Sequence, residues 1–407
     1  MTRLRATTAA TLALLALACS PSKPEGEGAL AQLPSPAGPG SGEPFLSAGA
    51  EGRVNMTWLE KKDDSTYALR FSQLAGDTWG PVHTIVERGD FFVNWADFPS
   101  VVSSSSGRLV AHWLQRSGAG KYSYDVRFSQ SLDSGATWSP GTVLHRDGVP
   151  AEHGFVALWP SDGDAVEAAW LDGRGTVNVP AEARAMHVAT TRIAADGSLG
   201  EEVQLDQRTC DCCQVAAAMT ARGPVVAYRD RTTDEIRDIA VVRRVEGAWT
   251  QPAIVHDDGW QIAACPVNGP AVAARGDTVV IAWFTGAQDT ARVRAAFSTD
   301  AGATFGPPQR IDGGTPAGRV DIELLDDGSA AVSWLERTDG TSAEVRLRRV
   351  RPDGQRGDAV VLARSSGARA SGFPRLARSG DRLIAAWTMP GDSARIHVAR
   401  FALKALP

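Results

Sequence analysis

The chain has 407 residues, of which 43% are hydrophobic and 22% are charged, and its formal net charge is −5. A chain of this length and composition can bury a large core, which excludes an intrinsically disordered protein and predicts one large or two medium globular domains. Because arginines and carboxylates are interspersed, no basic surface is expected, and nucleic acid is not an expected partner.

The first nineteen residues have the pattern of an export signal. Arg3 and Arg5 precede the apolar run AATLALLALA, which is too short to span a bilayer stably, and small residues lead up to Cys19. The segment resembles the lipobox of bacterial lipoproteins. This resemblance implies a signal peptide over residues 1–18 and a diacylated Cys19 as the mature N-terminus. The alternative is an ordinary secretory signal, and both interpretations predict export.

Residues 19–43 are rich in Pro, Gly and Ser, which predicts a flexible tether in front of a folded body over residues 44–407. No later stretch is apolar over the roughly 18 residues that a membrane helix needs, so we expect the lipid to be the only membrane anchor. Ser20 follows the lipidated residue, where some bacteria use aspartate to retain lipoproteins at the inner membrane. The expected location is therefore the bacterial cell envelope, periplasmic or surface-exposed, with the outer membrane favoured.

The body contains a sequence repeat. Seven segments share a turn and then an alternating β run that ends in an aromatic residue, and these aromatics recur every 51 to 58 positions. They are Trp58, Trp113, Trp170, Tyr228, Trp283, Trp334 and Trp387. Each unit contains four short runs separated by turn residues, and long amphipathic helix patterns are missing. The pattern predicts an all-β fold, a seven-bladed β-propeller of four-stranded blades, with six blades as the alternative.

A second recurring element lies between the third and fourth strands of some units. The segments SLDSGATW (131–138) and STDAGATF (298–305) match closely, and SQLAGDTW (72–79) is a divergent copy. They resemble the Asp box of the sialidase-like, BNR-repeat β-propeller family. In such a turn the carboxylate accepts backbone N–H groups, the glycine takes positive φ and the aromatic plugs the blade. The predicted structural residues are Ser131, Asp133, Gly135, Trp138, Ser298, Asp300, Gly302 and Phe305.

The resemblance also implies that these boxes lie on the face away from the active site. The last unit ends after a third strand, RIHVARFAL, and only KALP follows. We expect the missing outer strand to come from Ala29–Leu33, which would close the ring by strand addition.

The opposite face should collect the starts of the inner strands and the ends of the second strands. We call this rim the mouth, and its carboxylates and guanidinium groups suit an anionic or hydroxyl-rich ligand. The candidate ligand-binding residues are His153, Arg174, Arg229, Asp230, Arg231, Asn268, Arg319, Asp321, Glu336 and Arg337. The alternative is that the Asp–Arg pairs of WLDGR, YRDR and WLER brace neighbouring blades.

The cysteines other than Cys19 are even in number, which in an oxidising compartment predicts two disulfides. Cys212 and Cys265 begin adjacent inner strands, so a bridge from Cys212 or Cys213 to Cys265 is expected, with Cys210 pairing to the remaining cysteine. Two alternatives stay open. The cluster, with His153 or His256, is suited to Cu(I) or Zn(II), and a catalytic thiol is the other possibility.

The resemblance implies sialidase chemistry, which uses three arginines, a tyrosine with a glutamate, and an aspartate as general acid. The Arg-Ile-Pro signature of that family is missing, so its catalytic residues are not carried over. The remaining catalytic candidates are Asp97, Asp172 and Tyr228.

Two classes of function follow. The first is an exported, lipid-anchored propeller that binds a glycan or protein ligand at the mouth without turnover. The alternative is a glycoside hydrolase, similar to exo-α-sialidases, or a lyase with nonstandard catalytic residues. A propeller with a Cys/His site for Cu or Zn is a further alternative, and otherwise no cofactor is expected.

Overall fold

The computed structural model describes residues 29–392 and 394–407. The predicted signal peptide, Cys19 and the first part of the predicted tether lie outside the described residues. The described part contains thirty β-strands and six 3₁₀-helices. Among these residues, no helix has the length and apolar character needed to cross a bilayer.

Seven antiparallel sheets, which we call blades A to G, form a ring, so the predicted seven-bladed propeller is confirmed. The outermost strand of blade G is β1 (Leu30–Leu33). Blade A contains β2 (Ser41–Ala48), β3 (Val54–Lys61), β4 (Tyr67–Ala75), β5 (Thr78–Trp79) and β6 (His83–Arg88). Blade B contains β7 (Ser100–Ser103), β8 (Leu109–Arg116), β9 (Tyr124–Ser131) and β10 (Thr142–Val143). Blade C contains β11 (His153–Pro160), β12 (Val166–Asp172), β13 (Met186–Ile193) and β14 (Val203–Thr209).

The remaining blades follow in chain order. Blade D contains β15 (Ala216–Thr220), β16 (Gly223–Arg229), β17 (Ile239–Val245), β18 (Ala248–Trp249) and β19 (Ala253–Ile254). Blade E contains β20 (Ala271–Arg275), β21 (Thr278–Thr285), β22 (Arg292–Ser298) and β23 (Gln309–Arg310). Blade F contains β24 (Thr315–Leu324), β25 (Ala330–Arg337), β26 (Ser342–Val350) and β27 (Val360–Ser366). Blade G contains β28 (Arg375–Ser379), β29 (Arg382–Met389) and β30 (Arg395–Ala402). The 3₁₀-helices are Ala50–Gly52, Arg174–Thr176, Ala181–Ala183, Ala287–Asp289, Arg369–Ser371 and Leu403–Ala405.

The seven repeated aromatic residues all lie on the second strands of their blades, and each is at most 3% exposed. Their burial explains the repeat, because each large ring fills the space between two neighbouring sheets. In blades A and D the outer edge is divided, since β5 and β6 both pair with β4, and β18 and β19 both pair with β17.

The ring closes as expected from the sequence. Strand β1 pairs antiparallel with β30, with Leu30 opposite Phe401 and Leu33 opposite Val398. Because β1 and the first residues of β2 fall inside the segment predicted as a tether, the folded body begins earlier than residue 44.

The two matched turns have the same hydrogen bonds. In the first, the Asp133 carboxylate accepts from Thr137 N (2.8 Å), and Ser131 Oγ accepts from Gly135 N (2.9 Å). In the second, Asp300 accepts from Thr304 N at 2.9 Å. Gly135 and Gly302 have φ values of 90° and 80°. Since both turns join third to fourth strands, antiparallel alternation places them on the face opposite the mouth.

Candidate functional site

The mouth of the central channel is shaped by β-bulges in the inner strands. The register of β2, β11 and β24 shifts after Gly42, Gly154 and Gly318. The next residue in each strand, Glu43, Phe155 or Arg319, has a φ between 52° and 55°. Non-glycine residues rarely adopt this conformation, and bulges commonly re-aim side chains near functional sites. At the mouth, the inner strands of three blades therefore depart from regular strand geometry.

A cavity of about 110 Å³ lies on the axis at this level. Most of the residues that line it are apolar, but polar side chains and backbone groups supply slightly more than half of its surface. Apolar residues with a few converging polar groups are usual in a ligand site. The polar and aromatic lining residues are Phe45, Asp97, Phe98, Phe155, Gln214, Asp321 and Arg375. Of the predicted site residues, Asp97 and Asp321 are brought together here.

Arg375 is the cation of the cavity. Its Cζ lies 4.8 Å from the ring centroid of Phe45 and 5.2 Å from that of Phe98, and its Nε lies 3.2 Å from Asp321 Oδ2. Within the described part of the chain, neither Nη atom of Arg375 has a hydrogen-bond partner. An arginine fork held flat by two rings, with its outer donors unused, can bind a carboxylate in bidentate fashion.

Arg319, which was also predicted to bind ligand, is used within the fold. Its Nη1 donates to Ser371 Oγ (2.6 Å) and Gly372 O (2.9 Å), and its Nη2 donates to Ala368 O (3.0 Å). Its guanidinium stacks 4.8 Å from the Trp95 ring. Burial lowers the pKa of Arg319 to about 10. These contacts join blade F to blade G.

The buried carboxyl groups at the mouth have raised pKa values. Asp97 Oδ1 accepts from Phe155 N, and Asp321 Oδ2 accepts from Leu376 N, both at 2.7 Å. Burial raises the pKa of both groups, and that of Asp97 lies well above its usual range. Burial also raises the pKa of Glu43 to about 7, and its carboxylate has no partner among the described residues. Such a carboxyl can hold a proton near neutral pH and donate it.

A second charged cluster lies between blades B and C, and we call it the B/C cluster. Asp147 accepts from His145 Nδ1 at 2.8 Å and from His153 Nε2 at 3.0 Å, and the two rings stack 3.7 Å apart. Arg174 grips Asp172 through Nε (2.8 Å) and Nη2 (2.6 Å). Nη2 of Arg174 also lies 2.8 Å from Glu202. The predicted residues His153, Asp172 and Arg174 thus meet each other here, away from the channel cavity.

The pKa values in this cluster reflect its mutual pairing. Burial would lower the pKa of His153, but the hydrogen bond with Asp147 and the charge of Asp172 outweigh it and raise that pKa. Burial and the neighbouring His153 lower the pKa of His145. Although burial opposes it, the hydrogen bond from Arg174 holds the pKa of Asp172 below its usual range. The arrangement is that of a charged brace between two blades.

Three further predicted residues bind backbone atoms or core groups. Arg229, 1% exposed, donates to the carbonyl oxygens of Asn268, Arg237 and Phe284. Asn268 Oδ1 accepts from Arg319 N at 2.7 Å. Glu336 accepts from Trp334 Nε1 and from Thr315 N.

The other predicted residues are dispersed. The Tyr228 hydroxyl donates to Asp206 in the core between blades C and D, and burial raises its pKa. Burial also raises the pKa of Asp230, to about 6. Arg231 pairs with Asp211 and Glu235, and Arg337 is exposed at the end of β25.

The four cysteines lie near one another at the edge of the mouth, and none of them is joined in a disulfide in the described structure. Cys210 Sγ lies 3.2 Å from Cys213 Sγ and 3.9 Å from Cys212 Sγ, and Cys265 approaches this group from the side of Cys212. Hydrogen bonds with Cys212 and Cys213, together with the charge of Arg237, hold the pKa of Cys210 well below its usual range. The predicted disulfide pairing and the metal alternative both stay predictions.

Sequence reasoning missed Arg375, Phe45 and Glu43, although a signal was present. The strand register places Phe45, Asp321 and Arg375 opposite the residue that precedes the repeated aromatic residue of their own blades. Aligning every inner strand on that aromatic would have placed Arg375 beside Asp321. Ser371 lies four residues before Arg375 in the sequence, and its hydroxyl accepts a hydrogen bond from Arg319.

No protein-family model matches the sequence, and no curated protein matches it. Solved structures do resemble the fold. A protein of unknown function from Dyadobacter fermentans is 12% identical, with a TM-score of 0.52 over 92% of this chain and 97% of that chain. The α-L-arabinanase of Penicillium chrysogenum, complexed with arabinobiose, is 14% identical, with a TM-score of 0.51 over 92% and 99%. A mutant of the Streptococcus pneumoniae NanB sialidase is 10% identical, with a TM-score of 0.48 over 93% and 95%. These similarities extend to the fold alone.

Proposed function

We propose that this protein is an exported, lipid-anchored propeller that binds a glycan with an anionic group at the mouth of its channel. One observation carries the proposal: the Arg375 guanidinium lines the cavity with both Nη atoms unused by the described protein. Arginine recognises carboxylates through such a fork. The apolar side chains around it, including Phe45 and Phe98, offer surface for the C–H faces of a sugar ring.

The size of the cavity limits the ligand to a small group. A cavity of about 110 Å³ holds one terminal residue more readily than an internal stretch of polymer. The Penicillium arabinanase is complexed with arabinobiose, and the proposal extends a carbohydrate ligand to this chain. A glycan is preferred over a protein ligand because the cavity is concave and small, whereas stable protein interfaces are broad.

A glycan panel tests the binding. Purified protein is titrated calorimetrically with uronic-acid and sialic-acid glycans and with their neutral counterparts. We expect acidic glycans to bind, and Arg375→Ala to weaken them about 30-fold, since a hydrogen-bonded ion pair contributes about 2 kcal/mol. Arg275→Ala is the matched control, because Arg275 ends an inner strand at the opposite face. Equal binding of neutral glycans, or full binding by Arg375→Ala, would contradict the proposal.

A glycosidase or lyase is the second candidate, and Asp97 favours it. This carboxyl lines the cavity, and its pKa is raised well above its usual range, as a general acid requires. With a panel of fluorogenic glycosides and a polyuronate, turnover should be lost in Asp97→Asn while binding persists. Asp381→Asn is the control, since the Asp381 carboxylate is 89% exposed and does not line the cavity. Turnover that survives in Asp97→Asn would remove Asp97 from the reaction.

Export and lipidation are tested separately from ligand binding. In a bacterial host, labelling with an alkyne fatty acid should mark the protein and should fail for Cys19→Ser. An unlabelled but secreted protein would instead support the ordinary secretory signal.

A further inference from the structure

We propose that Cys210, Cys212, Cys213 and Cys265 bind one thiophilic d¹⁰ ion, Zn(II) or Cu(I), at the edge of the mouth. This site is independent of the proposed glycan binding. It differs from the two predicted disulfides in that all four sulfurs share one ion.

The spacing of the sulfurs fits a tetrahedral thiolate centre. Metal–sulfur bonds of about 2.3 Å place the sulfurs of a tetrahedron about 3.8 Å apart. Cys210 Sγ lies 3.2 Å from Cys213 Sγ and 3.9 Å from Cys212 Sγ, and all three sulfurs lie within 4.8 Å of one another. Small adjustments of side-chain rotamers are enough to accommodate an ion between them.

The fourth ligand comes from a different loop. Cys210, Cys212 and Cys213 belong to the turn between β14 and β15, whereas Cys265 precedes β20 in the next blade. Cys210 and Cys213 are 0% and 1% exposed, while Cys265 is exposed next to Cys212 and lies outside the group of three sulfurs, so its side chain must turn inward to become the fourth ligand. Three sulfurs on one turn, with a fourth on the solvent side, provide both a pocket and a path for the ion to enter.

The surroundings supply positive charge and orientation. Arg237 Nη1 lies 3.2 Å from Cys210 Sγ, and its Nη2 pairs with Glu235 at 2.7 Å. Arg231 pairs with Asp211, inside the cysteine turn, at 2.9 Å. Four thiolates around Zn(II) carry two net negative charges, which a neighbouring arginine offsets. Partners of this kind fix ligand geometry in metal sites.

Binding needs no oxidant or reductant. Each thiol that binds the ion loses its proton to solvent, and the ion keeps its oxidation state. The site also adjoins the cavity wall, because Gln214 follows Cys213, lines the cavity, and accepts from Gly269 N at 2.9 Å. An ion that fixes the turn would therefore also fix this wall.

The test begins with the whole protein, purified anaerobically without chelator. Elemental analysis should find one equivalent of zinc or copper. Metal-free protein is then titrated separately with Zn²⁺ and with Cu⁺ against a competing chelator, so that the two arms identify the preferred ion. Co²⁺ should give the visible spectrum of a tetrahedral thiolate site. Absence of affinity for both ions, or mass analysis showing two disulfides that exclude metal, would overturn the proposal.

Variants locate the ion. Cys213→Ser should abolish binding, and exposed Cys265→Ser, which is unimportant for the core, should weaken it at least about 10-fold. Circular dichroism checks that each variant is folded. His145→Ala is the control, since Asp125, His145 and His153 form another group of potential ligands. Metal content that survives in Cys265→Ser at full affinity, or disappears in His145→Ala, would contradict the assignment.

Discussion

The channel cavity and the B/C cluster both gather buried charges, but they use them differently. In the B/C cluster, Arg174 is bonded to Asp172 and Glu202, and Asp147 accepts from two histidines. In the cavity, Arg375 contacts Asp321 only through Nε, and its outer nitrogens have no partner in the described chain. Charge density therefore does not by itself distinguish a binding site from a brace. What distinguishes the binding site from the brace is that side-chain donors in the cavity have no hydrogen-bond partner within the protein.

Backbone conformation separates the two regions in the same way. Glu43, Phe155 and Arg319, around the mouth, have positive φ. The paired residues His153 and Asp172 lack this conformation and lie directly opposite each other, before the register shift that follows Gly154. A non-glycine residue held at positive φ costs about 1–3 kcal/mol, and it keeps this conformation only where the contacts around it enforce it.

The largest effect should come from breaking the brace. Asp172→Ala removes one of the partners of Arg174 and the acceptor of Trp170 Nε1, which donates to it at 2.9 Å. We expect the free energy of unfolding to fall by about 2–3 kcal/mol, because the buried Trp170 Nε1 is left without an acceptor, whereas Arg174 keeps Glu202 and Asp147. Urea unfolding at neutral pH measures it. Asp381→Ala, whose carboxylate is 89% exposed, is the control and should change stability by less than about 0.5 kcal/mol. A small effect of Asp172→Ala would show that the brace is not structural.

A smaller effect should appear in the histidine titrations. Asp147→Asn removes the charge that raises the pKa of His153. We expect that pKa to fall, because burial, which lowers it, is then opposed only by the charge of Asp172 and the contact with the Tyr124 carbonyl oxygen. In the parent protein, the protonated form of His153 contributes stability below its ordinary pKa of 6.5, and this contribution is lost as pH rises through the raised folded value. Nitrogen NMR of the imidazoles follows both rings, and an unchanged His153 titration would contradict the role of Asp147.

The sequence was sufficient to predict the ring and the order of its parts. Evenly spaced aromatics such as Trp334 mark the second strands because every blade must fill the same gap. The closing strand was predictable because the last unit lacked one, and β1 supplies it.

The sequence was sufficient to predict which face of the ring carries the site, but not which of its side chains are available to a ligand. Residues such as Arg174 and Arg319 have the same side-chain chemistry as Arg375 and also lie near the ends of strands. Whether a guanidinium is already bonded depends on partners far away in the sequence, such as Ser371 for Arg319. It also depends on the bulges, which shift side chains within an otherwise regular repeat. Neither effect is visible in a local pattern.

The smallest predicted effect concerns the unpaired acid at the mouth. Burial raises the pKa of Glu43 to about 7, so the folded state holds a proton that the unfolded chain has already released. Stability should therefore fall as pH rises from the ordinary value of 4.5 to about 7. Glu43→Gln cannot ionise, and at pH ~8 it should be more stable than the parent by about 1 kcal/mol, since partial exposure screens the charge.

At pH ~4 the parent carboxyl is protonated, and the two proteins should have equal stability. Urea unfolding at both pH values measures the difference, and Glu51→Gln, whose side chain is 78% exposed, is the matched control. A gain in stability that is the same at both pH values would mean that Gln packs better, and not that a buried charge was removed. A gain present only at the higher pH would show that the mouth holds a carboxyl whose charge the fold leaves uncompensated, in contrast to Asp172 in the B/C cluster.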